Sequence, residues 1–451
     1  MGNMLRMTSR VCCASLAAIG LFSAGACAGP KAPATSLVPQ AEIVEAAAPM
    51  PIKHVVIVVQ ENRTFDNLFA TFPGATGASS GKTANGATVK LRPIGFETAI
   101  IDHAWKNAMN AWDNGKLDGF DVERPVGKNR KPLAPDYTYA YLKPSSIAPY
   151  WAMAKQYALA DHFFQSEFGP SFIGHQTLIR GTTAISATRS VMDEPNAPNE
   201  CDAPFGTTTN LIDDKRVYHA FAGPAPCFDT VSIADSLDRG GITWKYYNQA
   251  SLNSSLSVWD AFLAIRSVRF GPDFANESYT PNQILVDAKA GNLPGVSWVV
   301  PSYPNSDHPE TGSDTGPSWV ASIVNTIGKG PQWDSTAIII LWDDWGGWYD
   351  HVPPPQLDYA GLGFRVPCII VSPYAKKGVV VHSHYEMASV LKTIELIFRV
   401  RSIGTRDVRA RSLLDSFDFT QPKRRFKPIP AKYSTDFFLH QPPSNHAVDD
   451  D

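Results

Sequence analysis

Runs of almost wholly apolar residues punctuate the chain. VVIVV spans 55–59, VSWVV spans 296–300, AIIILW spans 337–342 and CIIVS spans 368–372. A strand with one wetted face alternates apolar and polar residues, whereas a strand covered on both faces does not. These runs predict buried strands of a mostly parallel sheet. Stretches with helical spacing lie between them. SSIAPYWAMAKQYALADHFF, 145–164, brings Ile147, Trp151, Met153 and Tyr157 or Leu159 near one face. Residues 230–241 start on Thr230 or Ser232, carry Ile233 and Leu237, and stop on Gly240-Gly241. In 384–398, Met387, Val390, Leu391, Ile394 and Ile397 make an apolar stripe. Strands alternating with helices predict an α/β fold with a central sheet flanked by helices. The stretch 190–230 reads as a loop-rich insertion, and no internal repeat is visible.

Composition narrows the class. The 451 residues are 44% hydrophobic and 18% charged, as in a globular protein. The net charge of −3 shows no basic excess, so no nucleic-acid partner is expected. Arg6 and Arg10 precede a mostly apolar stretch that ends in Ala26-Cys27-Ala28. This is the pattern of a signal peptide over 1–28, with export to a periplasm or the outside as the expectation. Cys27 alternatively offers a lipid-attachment site, and a retained anchor is the third reading. Residues 29–51 are rich in Pro and Ala and read as a linker. From Gln421 the chain turns basic, then polar, then acidic, which predicts a peripheral tail over 426–451. Cys201 and Cys227 flank a polar loop and can bridge in an oxidising compartment. Cys368 reads as a small buried hydrophobe, and no C-x-x-C pair exists for a structural zinc.

Two of the apolar runs end in acids. VVIVVQ runs into Glu61-Asn62, and AIIILW runs into Asp343-Asp344. Ligands of open parallel sheets bind beyond the carboxyl ends of strands. Neighbouring residues of a regular strand face opposite sides, so each pair can share a target only where its strand has ended. Three carboxylates and an amide carbonyl form a hard donor set for one divalent cation. Without a cation the carboxylates would repel each other. Taken singly, each pair also reads as an ordinary solvated loop. Ser171, in FGPSFIGHQTLIRGTT, opens a predicted helix. A serine there serves as an N-cap, or places its hydroxyl where helix N–H groups hold an anion. His103 in IDHAW and His308 in SYPNSDHPETG are candidate proton carriers, the second just past a strand end. His351 follows in WYDHVPPP. Trp342, Trp345 and Trp348 read as packing or, alternatively, as an aromatic cage for a cation.

Several phrases resemble the bacterial phosphoesterase family of acid phosphatases and phospholipases C, in the alkaline-phosphatase-like superfamily, which also includes plant non-specific phospholipases C. They are HVVIVVQENRTFDNLFATFPG, the histidine ahead of the LDGF turn, GPSFIGHQTL, WDDWGGWYDHVPPP, SIADSLDRGGITWKYY and FRVPCIIVSPYAKKG. The resemblance runs from about 53 to 400 in family order and implies a catalytic domain over 52–425. It implies an alkaline-phosphatase-like α/β architecture and one divalent metal, of unknown identity, held by Glu61, Asn62, Asp343 and Asp344. It further implies Ser171 as a nucleophile that becomes phosphorylated. His103 and His308 match positions that contact the phosphoryl group or transfer protons. Asp350 and His351 match a recurrent segment behind the metal ligands, with Asn62, His175 and His351 as candidate substrate contacts. The family often has a proline two residues after the nucleophile, where this chain has Ile173 and then Gly174, which leaves His175 as a substrate contact or a helix residue. The expected substrate is a small phosphate ester or a phospholipid head group, with transient membrane-surface contact in the second case. The chain's end soon after the core favours a broad phosphoesterase over a dedicated phospholipase C. A non-catalytic envelope binding protein is the rival class. A sulfatase is set aside, because no Cys or Ser stands in a C/S-x-P-x-R setting.

Overall fold

The computed structural model describes residues 50–193, 200–249, 258–444 and 446. The expected signal peptide, Cys27 and the linker up to residue 49 lie outside the described residues. Eight strands form the central sheet: β1 (His54–Gln60), β2 (Ala158–Ala160), β3 (Trp244–Tyr247), β4 (Glu277–Ser278), β5 (Val296–Val299), β6 (Thr336–Trp342), β7 (Cys368–Val371) and β8 (Val379–Val381). Their order is β4-β3-β5-β1-β6-β7-β2-β8. Every neighbouring pair is parallel except the two made by β7. The expected α/β fold with a mostly parallel sheet is therefore present.

Strands β1 and β6 sit at the centre because nothing on them needs water. Val55 to Val59 and Ala337 to Leu341 are all buried. Each fully buried Val, Ile or Leu side chain contributes about 1.5–3 kcal/mol. The two strands pair from His54↔Thr336 to Gln60↔Trp342. That register has a direct consequence: the residues that follow, Glu61-Asn62 and Asp343-Asp344, emerge side by side.

Helices α1 (Phe65–Phe69), α2 (Ala148–Gln156), α3 (Ser171–Arg180), α4 (Ile233–Arg239), α5 (Gly316–Lys329) and α6 (Ala388–Phe398) carry much of the remaining core. The helix expected over 230–241 is α4, started by a capping box between Ser232 and Asp235. The helix expected over 145–164 is shorter. It ends at Gln156, and Ala158–Ala160 instead forms β2 between β7 and β8. Alanine and leucine favour helix locally, but sheet partners on both sides outweigh that preference. The helix expected over 384–398 starts at Ala388, because Tyr385–Glu386 pairs with Phe163–Phe164.

The stretch expected as loop-rich insertion contributes to a four-stranded antiparallel sheet with strands Ala184–Ser186, Arg189–Asp193, Asn210–Asp213 and Tyr218–His219. These strands are too short to show a period in the sequence. Cys201 and Cys227 form a disulfide beside it, and Cys368 is buried and free. Residues 426–444, expected as a tail, lie against α5. Asn325 exchanges hydrogen bonds with the backbone of Ile429 (2.8 and 2.9 Å), and Ile429 and Phe438 are buried.

Candidate active site

The backbone breaks where β1 stops. Asn62 has φ 61°, in the left-handed region that asparagine tolerates better than most residues. This turn ends the strand and lets Glu61 and Asn62 face the same place. Across the ladder, Asp343 N–H donates to the Gln60 carbonyl (3.0 Å) and Asn62 N–H donates to Asp343 Oδ1 (3.1 Å). Gly346 and Gly347, at φ 56° and 75°, then turn β6 away. A Cβ on Gly346 would lie 2.2 Å from the Asn62 carbonyl oxygen, so only glycine fits that passage. Gly346 N–H donates to Asp344 Oδ1 at 2.7 Å and fixes that carboxylate.

Helix α3 brings the hydroxyl. Ser171 is its first residue, and the cap position belongs to Pro170, which makes no side-chain cap bond. Ser171 is therefore not the N-cap, and its Oγ reaches the acids. It donates to Asp344 Oδ2 at 3.1 Å, with Glu61 Oε2 at 3.5 Å and the Asn62 Nδ2 donor at 3.4 Å. Gly174 makes the close approach of the helix possible. A Cβ there would stand 2.5 Å from the Asp343 carbonyl oxygen. Gly174→Ala is therefore expected to destabilise the fold by about 1–3 kcal/mol, through overpacking that outweighs the gain in helix propensity. Urea unfolding of the two proteins checks this.

Three histidines surround the cluster. His175, one turn along α3, has Nε2 3.2 Å from Glu61 Oε1 and 3.9 Å from Asp343 Oδ2. The structure thus makes His175 a helix residue whose ring faces the carboxylates. His103 Nδ1 donates to the Ile101 carbonyl (2.9 Å), which leaves Nε2 to accept from Asn62 Nδ2 (2.8 Å). Trp345 Nε1 in turn donates to the His103 carbonyl at 3.0 Å. His308 Nδ1 accepts from Glu310 N–H at 3.3 Å, so a neutral ring carries its proton on Nε2. The His103 and His308 rings are 6.1 Å apart. Glu61, Asn62, His103, Ser171, His175, His308, Asp343 and Asp344 are all buried.

The electrostatics of the cluster fit a cation. Burial first, and then the charge of Glu61, push the Asp343 carboxyl well above the usual carboxylate range. Asn62 Oδ1 and Asp343 Oδ2 are buried and have no hydrogen-bond partner. Each uncompensated buried charge costs several kcal/mol. Three carboxylates, an unsatisfied amide oxygen and a nearby imidazole match the donors that divalent ions take. Glu61, His175 and Asp343 place ligand atoms within 4.8 Å of one another.

Other residues of the same motifs do different work. Gln60 Oε1 accepts from Asp307 N–H (2.9 Å) and Gln60 Nε2 donates to the Asn305 carbonyl (3.2 Å), which ties the His308 loop to β1. Sequence reasoning missed this tie, although a polar residue closing an apolar run was its signal. Arg63 lies under Trp348 and donates to the Asp307 carbonyl (2.8 Å) and Asn67 Oδ1 (3.2 Å), so its guanidinium is a brace. Thr64 caps α1 by accepting from Asn67 N–H at 3.2 Å, as its position in the motif suggests. Trp342, Trp345 and Trp348 are fully buried and pack, with no open cage. His351 is not brought to the cluster by its contacts. Its Nδ1 lies 2.6 Å from Asp66 Oδ2, in a second buried group where Arg365 bridges Asp66 (3.3 Å) and Asp350 (2.8 Å).

A sequence model described as the Phosphoesterase family matches residues 52–401. Phospholipase C B of Mycobacterium tuberculosis is 25% identical, over 84% of this chain and 80% of its own length. The non-hemolytic phospholipase C of Pseudomonas aeruginosa is 24% identical, over 88% of this chain and 62% of its own length. Among solved structures, a protein in the alkaline phosphatase superfamily from Vibrio parahaemolyticus aligns with a TM-score of 0.38 at 11% identity, covering 82% of this chain and 73% of that one.

Proposed function

The chain belongs to the Phosphoesterase family and is a hydrolase acting on phosphoester bonds; from that premise we propose that Ser171 is its nucleophile and that it works through a phosphoserine. The observation that carries this reading is the Ser171 hydroxyl, buried at the start of a helix and reaching Asp344 and Glu61. In this reading Glu61, Asn62, Asp343 and Asp344 hold one divalent cation, with His175 beside them. The bound cation supplies positive charge that lowers the pKa of a nearby hydroxyl and offsets phosphoryl charge.

The chain's own groups then divide the work. Asp344 Oδ2 already accepts from Ser171 and stands ready for its proton. Ser171 Oγ bonds to phosphorus as the ester oxygen leaves on the opposite side. The His308 Nε2–H is suited to donate to a phosphoryl oxygen or to the departing alcohol, while Asn62 Nδ2 and His103 face the same space. Water then attacks the phosphoserine and restores the hydroxyl. The substrate is a phosphate ester, monoester or diester. The relatives named phospholipase C support a phospholipid head group as the second reading. Export through the N-terminal segment is supported by the Cys201–Cys227 bridge, which suits an oxidising compartment. No described helix is long and apolar enough to cross a membrane.

Parallel assays on a phosphate monoester and on phosphatidylcholine, with metal analysis of the same sample, test the proposal. Hydrolysis with bound divalent metal is the expected result. A preference for the monoester marks a broad phosphoesterase, and a preference for the lipid marks a phospholipase C. Failure on both substrates by metal-loaded protein would contradict the proposal.

A further inference from the structure

A second group of histidines gathers over one buried aspartate at the rim of the central sheet. Asp161 follows β2 and is fully buried. His162 Nδ1 lies 2.8 Å from its Oδ1, and His382 Nδ1 lies 2.9 Å from its Oδ2. The Thr76 N–H also donates to Oδ2, at 2.8 Å. His384 stacks on His162, with ring centres 5.1 Å apart and planes at 7°. Asp161, His162 and His382 each offer a ligand atom, and these atoms lie within 4.8 Å of one another.

Backbone pairing holds the group in place. Strands β2 and β8 pair as far as Ala160↔Val381, and the same two segments pair again at Phe163↔Tyr385. Asp161-His162 lies between the two ladders on one side, and His382-Ser383-His384 on the other. Asp161 N–H donates to the Val381 carbonyl (3.2 Å) and Tyr385 N–H to the His162 carbonyl (2.8 Å). The second side carries one extra residue, so it bulges. His382 and His384, two apart, are both exposed on that bulge.

The ring centres of His162 and His382 are 6.4 Å apart, yet both Nδ1 atoms touch one carboxylate. The Nδ1 edges therefore face a common point. Imidazole and carboxylate donors suit zinc-class ions. Ligand atoms around a tetrahedral zinc stand about 3.3 Å apart. From 2.8 and 2.9 Å, each imidazole need withdraw from the carboxylate by only about 0.5 Å. The two Nδ1 atoms, within 4.8 Å of each other, need close by no more than about 1.5 Å. The His382 side chain is 58% exposed and free to make that adjustment, and solvent reaches the site over it.

We propose that Asp161, His162 and His382, with His384 beside them, form a second site for a divalent transition-metal ion of the zinc class, which clasps edge strand β8 to β2. The site shares no residue with the Ser171 cluster, so it stands or falls independently of the catalytic reading. The competing account is a plain hydrogen-bond network between Asp161 and two histidines.

The experiment is a Zn²⁺ titration of the full-length protein, with metal analysis after removal of free ion, on wild type and on the His382→Ala/His384→Ala double variant. Both substituted residues are exposed, and circular dichroism confirms that the variant is folded. The wild type is expected to retain one zinc per chain more than the double variant, with phosphoester hydrolysis equal in the two. Equal zinc content and affinity in both proteins would overturn the proposal.

Discussion

Ser171→Ala is expected to lower phosphoester turnover by on the order of 10⁴-fold or more, the scale seen when a nucleophile is removed, while fold and metal content stay at wild-type values. The first expectation follows from the reaction: without Oγ no bond to phosphorus forms on the enzyme. The second follows from local structure. Ser171 occupies the first helical position, and the cap position belongs to Pro170, so no cap is lost. The hydroxyl's hydrogen bond to Asp344 is worth only about 1 kcal/mol net. Steady-state rates, a thermal melt and metal analysis on one preparation separate the two effects. Undiminished turnover in the variant would place the nucleophile elsewhere.

Asp343→Asn is the second large effect. The substitution keeps size and removes one charge from a buried group of three carboxylates. It is expected to weaken metal retention and to cut activity by about 10²–10³-fold, comparable with losing one group that stabilises transition-state charge. Stability should respond in the opposite sense when metal is stripped. Burial and Glu61 already hold the Asp343 carboxyl well above its ordinary range, so the metal-free wild type carries strain that asparagine relieves. With chelator present, the variant should melt no lower than wild type. With saturating divalent ion, the wild type should gain stability and the variant much less. A variant that keeps both metal and activity would remove Asp343 from the ligand set.

The parts of this site that were legible in the sequence were those with a local signature. Apolar runs at 55–59 and 337–342 marked the two central strands to within about a residue. The acids at their ends marked where a ligand could sit. The register Gln60↔Trp342, which sets the two pairs side by side, is a long-range fact that no local pattern carries. The same holds for β2. YALA reads as helix, and only its two sheet neighbours make it a strand. Glycines at 174 and 346 were visible, but the carbonyls they pass were not. His175 and His351 could not be separated by spacing. The helix turns one toward the carboxylates, and an Asp66–Arg365–Asp350 group holds the other. Arg63 braces the loop that carries His308, a long-range contact that no local pattern shows.

The central claim is that Ser171 carries the phosphoryl group during turnover. Acid-quenching the metal-loaded enzyme during hydrolysis of a ³²P-labelled ester, followed by peptide mapping, tests it most directly. The account predicts label on the peptide containing Ser171 in wild type and none in Ser171→Ala. Label on a different residue would contradict it, as would rapid turnover by the alanine variant.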